Sequence, residues 1–228
     1  MLMTIKGLIF DFDGLILDTE TPDFSAWQQI FTSYKAELPL EKWEACIGTT
    51  NEVFDVISFL EDQIEKKVDR DQLKSLHRSM LLEILETQKA LPGVEDYLKR
   101  AKELRLKVAV ASSAPFIWLQ KHLTRLELFH EFDAIVSSND VKKVKPYPDL
   151  YLEALKKLNI KNNEAIAFED SMNGMKAAQD AGIYCVVVPN SVTRQMQWDN
   201  ANLIINSMAA VKLDKIIGMA SEQLIYSE

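Results

Sequence analysis

The sequence predicts an α/β protein, a Rossmann-like parallel sheet core with an all-helical cap domain inserted after the first strand. Three observations carry that expectation. From Leu91 onward, short apolar runs bounded by turn residues alternate with helical periods, the pattern of strands joined by crossover helices. Between Pro22 and Ala90 only helical spacing is found, with no convincing β run to interrupt it. Aspartate, serine, lysine and glutamate stand just after the apolar runs, where an open parallel sheet binds its ligands. The expected division is an α/β core over residues 1–17 and 91–228, with the cap over 18–90.

Taken in order, Leu8-Ile9-Phe10 reads as a short buried strand ending in Asp11-Phe12-Asp13-Gly14. The Asp-Gly pair between apolar runs is also a hairpin signal, so a small flap is expected there. In the cap, Phe24, Trp27, Ile30/Phe31 and Tyr34 recur at helical spacing. So do Val53, Val56/Ile57, Leu60 and Ile64, and then Leu73, Leu76, Met80 and Ile84, giving about four helices. Leu91-Pro92-Gly93 closes the insertion. Strands are then expected at Lys107–Ala111, Ala134–Val136, Ala165–Phe168, Cys185–Val188 and Leu203–Ile205. Between them lie helices near Val94–Leu104, Ile117–Leu126, Asp149–Leu158 and Gly174–Ala181, with one more at the end.

Size and composition bound the function. A chain of 228 residues, 47% hydrophobic and 26% charged, is ordinary globular composition, able to bury its own core. Lys and Arg number 26 against 34 Asp and Glu, and the net charge of −8 disfavours a broad nucleic-acid surface. Cys46 and Cys185 lack the spacing of a disulfide framework or a zinc site, and suit a reducing compartment. The first apolar run is too short for a signal peptide, and none approaches the ~20 residues of a membrane span. A cytoplasmic protein is expected, a monomer or weak oligomer with no nucleic-acid or membrane partner.

The strand ends supply the chemistry. Asp11 and Asp13 follow the first strand, Ser112 and Ser113 the second, Lys145 the third, and Glu169 and Asp170 the fourth. Carboxylates, hydroxyls and one amine suit phosphoryl transfer, with a nucleophile, a proton donor and oxygen ligands for a hard cation. Four carboxylates and a phosphate face a single ammonium, and each like-charge pair at ~4 Å costs on the order of 4 kcal/mol at an effective dielectric near 20. A divalent cation is therefore expected, and Mg²⁺ suits a few carboxylates plus a substrate phosphate.

These residues resemble the haloacid dehalogenase superfamily, in its branch of small phosphatases and β-phosphoglucomutases. The match covers nearly the whole chain: Asp11-Phe12-Asp13-Gly14, Asp18-Thr19-Glu20, the serine after Val108–Ala111, Lys145-Pro146, and Glu169-Asp170-Ser171 with Gly174. The resemblance implies that Asp11 is the nucleophile and a metal ligand. Asp13 would be the acid and base, its backbone carbonyl also helping to hold Mg²⁺. Ser112 and Lys145 would bind the transferring phosphoryl group, with Ser113 and Thr19 also in the phosphate site. Asp170 would bind Mg²⁺, with Glu169 as a further ligand. The second aspartate argues against dehalogenation, because the dehalogenases lack a carboxylic acid there.

Each residue also has an ordinary explanation. Asp before Gly is a common turn residue, and Ser112 and Ser113 suit a helix cap. Lys142, Lys143 and Lys145 suit a solvated face, although Pro146 fixes an extended backbone at Lys145. Asp170 and Ser171 suit a cap favoured by the helix dipole. Together these explanations fail, because they do not say why every candidate falls on one edge of one sheet. His77, His122 and His130 lack metal spacing and read as surface or satisfied histidines; Trp27 and Trp43 read as cap core.

The expected function is a Mg²⁺-dependent phosphatase acting on a small phosphorylated metabolite. A β-phosphoglucomutase-type mutase and a catalytically silent binding protein are the alternatives. The cap departs from the mutases: the loop Ile47-Gly48-Thr49-Thr50-Asn51 has no cation, and Asp23 stands where they carry a histidine. Thr49, Thr50 and Asn51 read equally as a polar turn or as substrate contacts.

Overall fold

The computed structural model describes residues 5–44 and 54–225. Six strands form one parallel sheet: β1 (Gly7–Phe10), β2 (Lys107–Ala111), β3 (Ala134–Val136), β4 (Ala165–Glu169), β5 (Tyr184–Val187) and β6 (Leu203–Ile204). Their spatial order is β3-β2-β1-β4-β5-β6. The chain fills one side of β1 first and then crosses to the other, which opens a crevice beyond the carboxyl ends of β1 and β4. Register sets what meets there. Phe10 lies opposite Val110 on one side and Phe168 on the other, so the residues that follow emerge side by side.

β1 is buried along its whole length because helices cover both faces of the sheet. Alternation divides it: Leu8 and Phe10 belong to one apolar cluster, Ile9 to the other. The first cluster takes in residues of α5 (Val94–Glu103), α6 (Phe116–Arg125) and α9 (Leu213–Ile225). The second takes in α7 (Asp149–Leu158) and α8 (Met172–Asp180). Phe10 stacks on Phe168 at 4.9 Å between centroids, directly beneath the crevice. Truncating a buried phenylalanine of this kind costs about 3–5 kcal/mol.

The inserted cap has α1 (Glu20–Ser33), α2 (Leu40–Glu44), α3 (Val56–Ile64) and α4 (Arg70–Thr87) among the described residues. Trp27, Ile30, Phe31, Trp43, Ile57, Leu60 and Leu73 form its core, as their spacing predicts. Val192, from the segment after β5, completes that cluster and ties cap to sheet domain. Two described residues of the periodic stripe are exposed, Tyr34 at 40% and Leu76 at 47%, while Val53 lies outside the described residues. Tyr34 is the cap residue beyond α1, and Leu76 sits about 60° round α4 from Leu73, off the buried stripe.

The expected hairpin after Asp13 does not form. Leu15, Ile16 and Leu17 donate their N–H groups to the Phe12 carbonyl, and a single parallel bridge joins Asp13 to Leu17. The reason is burial: all three side chains turn into the first apolar cluster, so the segment folds back as a tight loop. Cys185 is buried and unpaired, while Cys46 and the Ile47–Asn51 loop, with Thr49 and Thr50, lie outside the described residues. Among the described residues no helix is long and apolar enough to cross a membrane.

Candidate active site

Asp11 leaves β1 with its N–H bonded to the Phe168 carbonyl (3.0 Å), which sets its carboxyl beside the end of β4. Glu169, the last residue of β4, and Asp170 after it are both buried. Lys145, from the segment between β3 and α7, is 3% exposed and reaches across them. Its Nζ lies 2.6 Å from Asp11 Oδ1 and 2.6 Å from Glu169 Oε1. Tyr151 of α7 donates its hydroxyl to the same Glu169 oxygen, and Ser171 Oγ lies 3.4 Å from Oε2. Ser171 also caps α8, accepting the Gly174 N–H, as its position predicts. Removing one member of so buried an ion network leaves the others uncompensated, at about 3–5 kcal/mol.

Carboxylate oxygens of Asp11, Glu169 and Asp170 lie within 4.8 Å of one another. At that separation and a dielectric near 20, each pair of charges repels by about 3–4 kcal/mol. One ammonium against three ionised carboxylates still leaves the set with two surplus negative charges. Burial and then the charge of Asp11 accordingly raise both Glu169 and Asp170 above the ordinary carboxylate range. Burial alone would discharge Lys145, but Asp11 and Glu169 outweigh it and keep the ammonium protonated. A buried set of oxygen donors with surplus negative charge fits a hard divalent cation.

Asp13 stands apart from that triplet. Its Oδ2 accepts from Ser112 Oγ (3.3 Å) and its Oδ1 from Trp118 Nε1 (2.9 Å). Burial, then the charge of Asp11, raises its pKa from 3.8 to about 6, against the hydrogen bond from Trp118. A carboxyl tuned there can both give and take a proton near neutrality. Ser112 is not a helix cap: its Oγ also accepts the Ala114 N–H, and α6 begins after Pro115 with no side-chain cap. Ser113 lines the same cavity with a buried hydroxyl that has no hydrogen-bond partner.

Together these side chains enclose a cavity of about 240 Å³, whose other wall is Thr19, Glu20 and Asp23 of the cap with Leu81 of α4. Thr19 is buried with its hydroxyl turned to Asp13, and it does not cap α1, whose Thr21 N–H goes to Asp18 instead. The cavity thus gathers Asp11, Asp13, Thr19, Ser112, Ser113, Lys145 and Asp170, with Glu169 behind them.

Three contributors were not assigned to the site from the sequence. Trp118 carries no motif, and only the helix start after Pro115 hints that a side chain there returns to the loop. Glu20 lies within the Asp18-Thr19-Glu20 run, which says nothing of its direction. Asn190 follows β5 and was legible by the strand-end rule. Its Oδ1 accepts the Val192 and Thr193 N–H groups, which aims Nδ2 at Asp170 Oδ2 (2.6 Å) and the Gly14 carbonyl (3.3 Å). Gly14 has φ +77°, and a Cβ there would overlap Asp170 Oδ2, so glycine is required. His122 departs from expectation: it is fully buried, neither ring nitrogen is hydrogen-bonded, and burial lowers its pKa to about 4. It packs edge-on beneath Trp118 at 4.2 Å as a neutral ring.

Residues 8–188 match the family described as haloacid dehalogenase-like hydrolase. YhcW of Bacillus subtilis (strain 168), provisionally named a phosphatase, is 44% identical over 219 residues, covering 96% of this chain and 99% of its own. A Thermotoga maritima protein named phosphorylated carbohydrates phosphatase is 30% identical over 221 residues, covering 96% of this chain and 100% of its own. The crystal structure of β-phosphoglucomutase from Clostridium difficile superposes with a TM-score of 0.77 over 97% of this chain and all of its own. At 23% identity, that likeness is one of fold.

Proposed function

The chain belongs to the haloacid dehalogenase-like hydrolases, and from that premise we propose a Mg²⁺-dependent phosphatase that hydrolyses a small phosphorylated metabolite through an aspartyl-phosphate on Asp11. One observation carries the reading: a buried lysine 2.6 Å from both Asp11 and Glu169, with Asp13 held separately beside Ser112. An isolated turn or cap needs no such cross-strand network.

In the first half-reaction an Asp11 carboxylate oxygen attacks phosphorus, and the bond from phosphorus to the leaving oxygen breaks. Asp13 gives its proton to that oxygen. In the second half-reaction Asp13 takes a proton from water, which attacks the acyl-phosphate and frees inorganic phosphate and Asp11. Lys145 and Ser112 hold the phosphoryl oxygens, with Ser113 and Thr19 as further hydroxyl donors. Asp11, Glu169 and Asp170, with the Asp13 backbone carbonyl, would hold Mg²⁺, which when bound supplies charge neutralisation for the phosphoryl group. The cap is taken as residues 18–90; the Leu91 N–H to Ile16 carbonyl bond (2.8 Å), where the two connections run side by side, supports that division.

The test is a panel of phosphorylated metabolites, carbohydrate phosphates first, assayed with Mg²⁺ for phosphate release. Turnover is expected to vanish in excess chelator and to fall at least about 10³-fold in Asp11→Asn, the isosteric loss of the nucleophile. Full activity in either case contradicts the proposal.

A further inference from the structure

Asn190, shortly after β5, uses every hydrogen-bonding position of its side-chain amide. Its Oδ1 accepts the N–H groups of Val192 (2.9 Å) and Thr193 (3.0 Å). Its Nδ2 donates to Asp170 Oδ2 (2.6 Å) and to the Gly14 carbonyl (3.3 Å). Backbone donors on one side and acceptors on the other dictate which way the amide points. The Asn190 N–H goes in turn to Thr193 Oγ1 (3.1 Å), and Thr193 is fully buried. The turn from Asn190 to Thr193 is thus closed by the same side chain that holds Asp170.

The far end of that turn belongs to the cap. Val192 is 3% exposed and sits in the cap core with Trp27, Ile30 and Phe31. Ser191 Oγ lies 2.6 Å from Thr21 Oγ1 of α1, and Met196 packs against both the cap core and the apolar cluster beneath α7 and α8. The near end reaches the connections between the domains. Gly14 starts the first of them, and a cavity of about 190 Å³ is lined by Gly14, Leu15, Leu91 and Pro92 together with Asn190 and Ser191. The two connections therefore have free space beside this turn, while the amide bridges it to the metal-ligand candidate Asp170.

Resting on the reading of Asp11, Glu169 and Asp170 as a Mg²⁺ site, we infer that Asn190 is a positioning residue that couples Mg²⁺ binding at Asp170 to seating of the cap on the sheet domain. With Val192 seated in the cap core, the turn holds Oδ1 and the amide presents Nδ2 to Asp170. When Val192 leaves the cap core, the turn loosens and Asp170 loses its donor. The effect is reciprocal: a metal that prefers the oriented carboxylate favours the seated cap by the same factor.

The experiment measures Mg²⁺ affinity of the substrate-free full chain by isothermal titration calorimetry, with hydrogen–deuterium exchange as the second readout. Asn190→Ala is expected to raise the Mg²⁺ Kd by about tenfold to a hundredfold, the usual cost of removing a partner of a ligating carboxylate. Val192 carries no ligand atom, and for Val192→Ala a rise of about fivefold is expected, the low end of couplings between sites. Leu60→Ala truncates the same cap core from α3 and should lower Tm while leaving the Kd unchanged. In the wild type, Mg²⁺ should slow exchange at the Val192 and Thr193 amides. An unchanged Kd in Val192→Ala overturns the coupling, as does exchange at those amides that ignores Mg²⁺. An equal rise in Leu60→Ala also overturns it, because general cap stability then accounts for the effect. A wild-type Kd in an Asn190→Ala protein that melts cooperatively overturns the positioning role. Mg²⁺ binding with these responses but no phosphate release from any substrate ends the phosphatase reading and leaves the coupling standing; no Mg²⁺ binding by the wild type ends both.

Discussion

The two walls of the cavity are built from the same residue type and held in opposite ways. On the sheet side, Asp11, Glu169 and Asp170 sit at adjacent strand ends, each joined to Lys145, Tyr151 or Asn190. On the cap side, Glu20 and Asp23 project from one helical turn, and Asp23 meets His77 of the cap itself. The difference separates two tasks. Carboxylates whose partners are already fixed are placed for reacting atoms, because geometry at a strand end is set by the register of its neighbours. Carboxylates on the cap are placed by one helical turn and by cap neighbours instead. On the proposed phosphatase reading, the chemistry would fall to the first wall.

The comparison breaks most severely if Asp13, on the sheet side, proves dispensable. Asp13→Asn is expected to lower kcat/KM by about 10²–10⁴ for alkyl phosphates and by less for aryl phosphates, whose leaving groups need little protonation. Equal losses across leaving groups would assign Asp13 a structural role. The pH dependence has a definite sign. With a pKa raised from 3.8 to about 6, native Asp13 retains its proton across that window. Its stabilising contribution is present below about pH 4 and is lost as the pH rises through 6. The proton-donating form is lost over the same range, so kcat/KM for an alkyl phosphate should decline above about pH 6 in the wild type and not in Asp13→Asn.

Metal removal sharpens the contrast without an activity assay. A ligand held by the native state alone stabilises it, so Mg²⁺ at 100-fold its Kd is expected to add about 2.7 kcal/mol. For a chain of this size that is about 5–10 °C in Tm. Asp170→Ala should abolish most of the shift. Asp23→Asn, on the cap wall, should leave it intact. Because Glu169 and Asp170 hold protons more tightly than usual, the shift should shrink at pH 5.

The smallest effect is expected at Trp118. Trp118→Phe keeps the ring against His122 but removes the N–H that holds Asp13 Oδ1. A loss of about tenfold or less in kcat is expected, larger for alkyl than for aryl phosphates, with little change in KM. A uniform loss across leaving groups would make Trp118 a packing residue only.

The fold was legible where one rule governs. Lys107–Ala111 and Ala134–Val136 are short, largely apolar runs bounded by turn residues, and the structure has strands at those same residues. Helix α7 likewise has the predicted bounds, Asp149–Leu158, between a proline and an asparagine in the left-handed region. The residues at the carboxyl edge were legible because strand ends converge there whatever the loops do. The rest depends on tertiary placement. Asp13-Gly14 has the composition of a hairpin, yet the burial of Leu15, Ile16 and Leu17 overrides it. Trp118 acts through a direction that no local pattern encodes. His122 is a polar residue that the helical period carries into an apolar site.

The central claim is that the sheet wall forms a covalent bond to phosphorus through Asp11. Rapid acid quench of the enzyme during turnover, followed by peptide mass mapping, tests it most directly. A phosphoryl adduct on the peptide carrying Asp11, absent from Asp11→Asn, is the result expected. Steady phosphate release with no adduct on the wild type, together with undiminished turnover by Asp11→Asn, would contradict it.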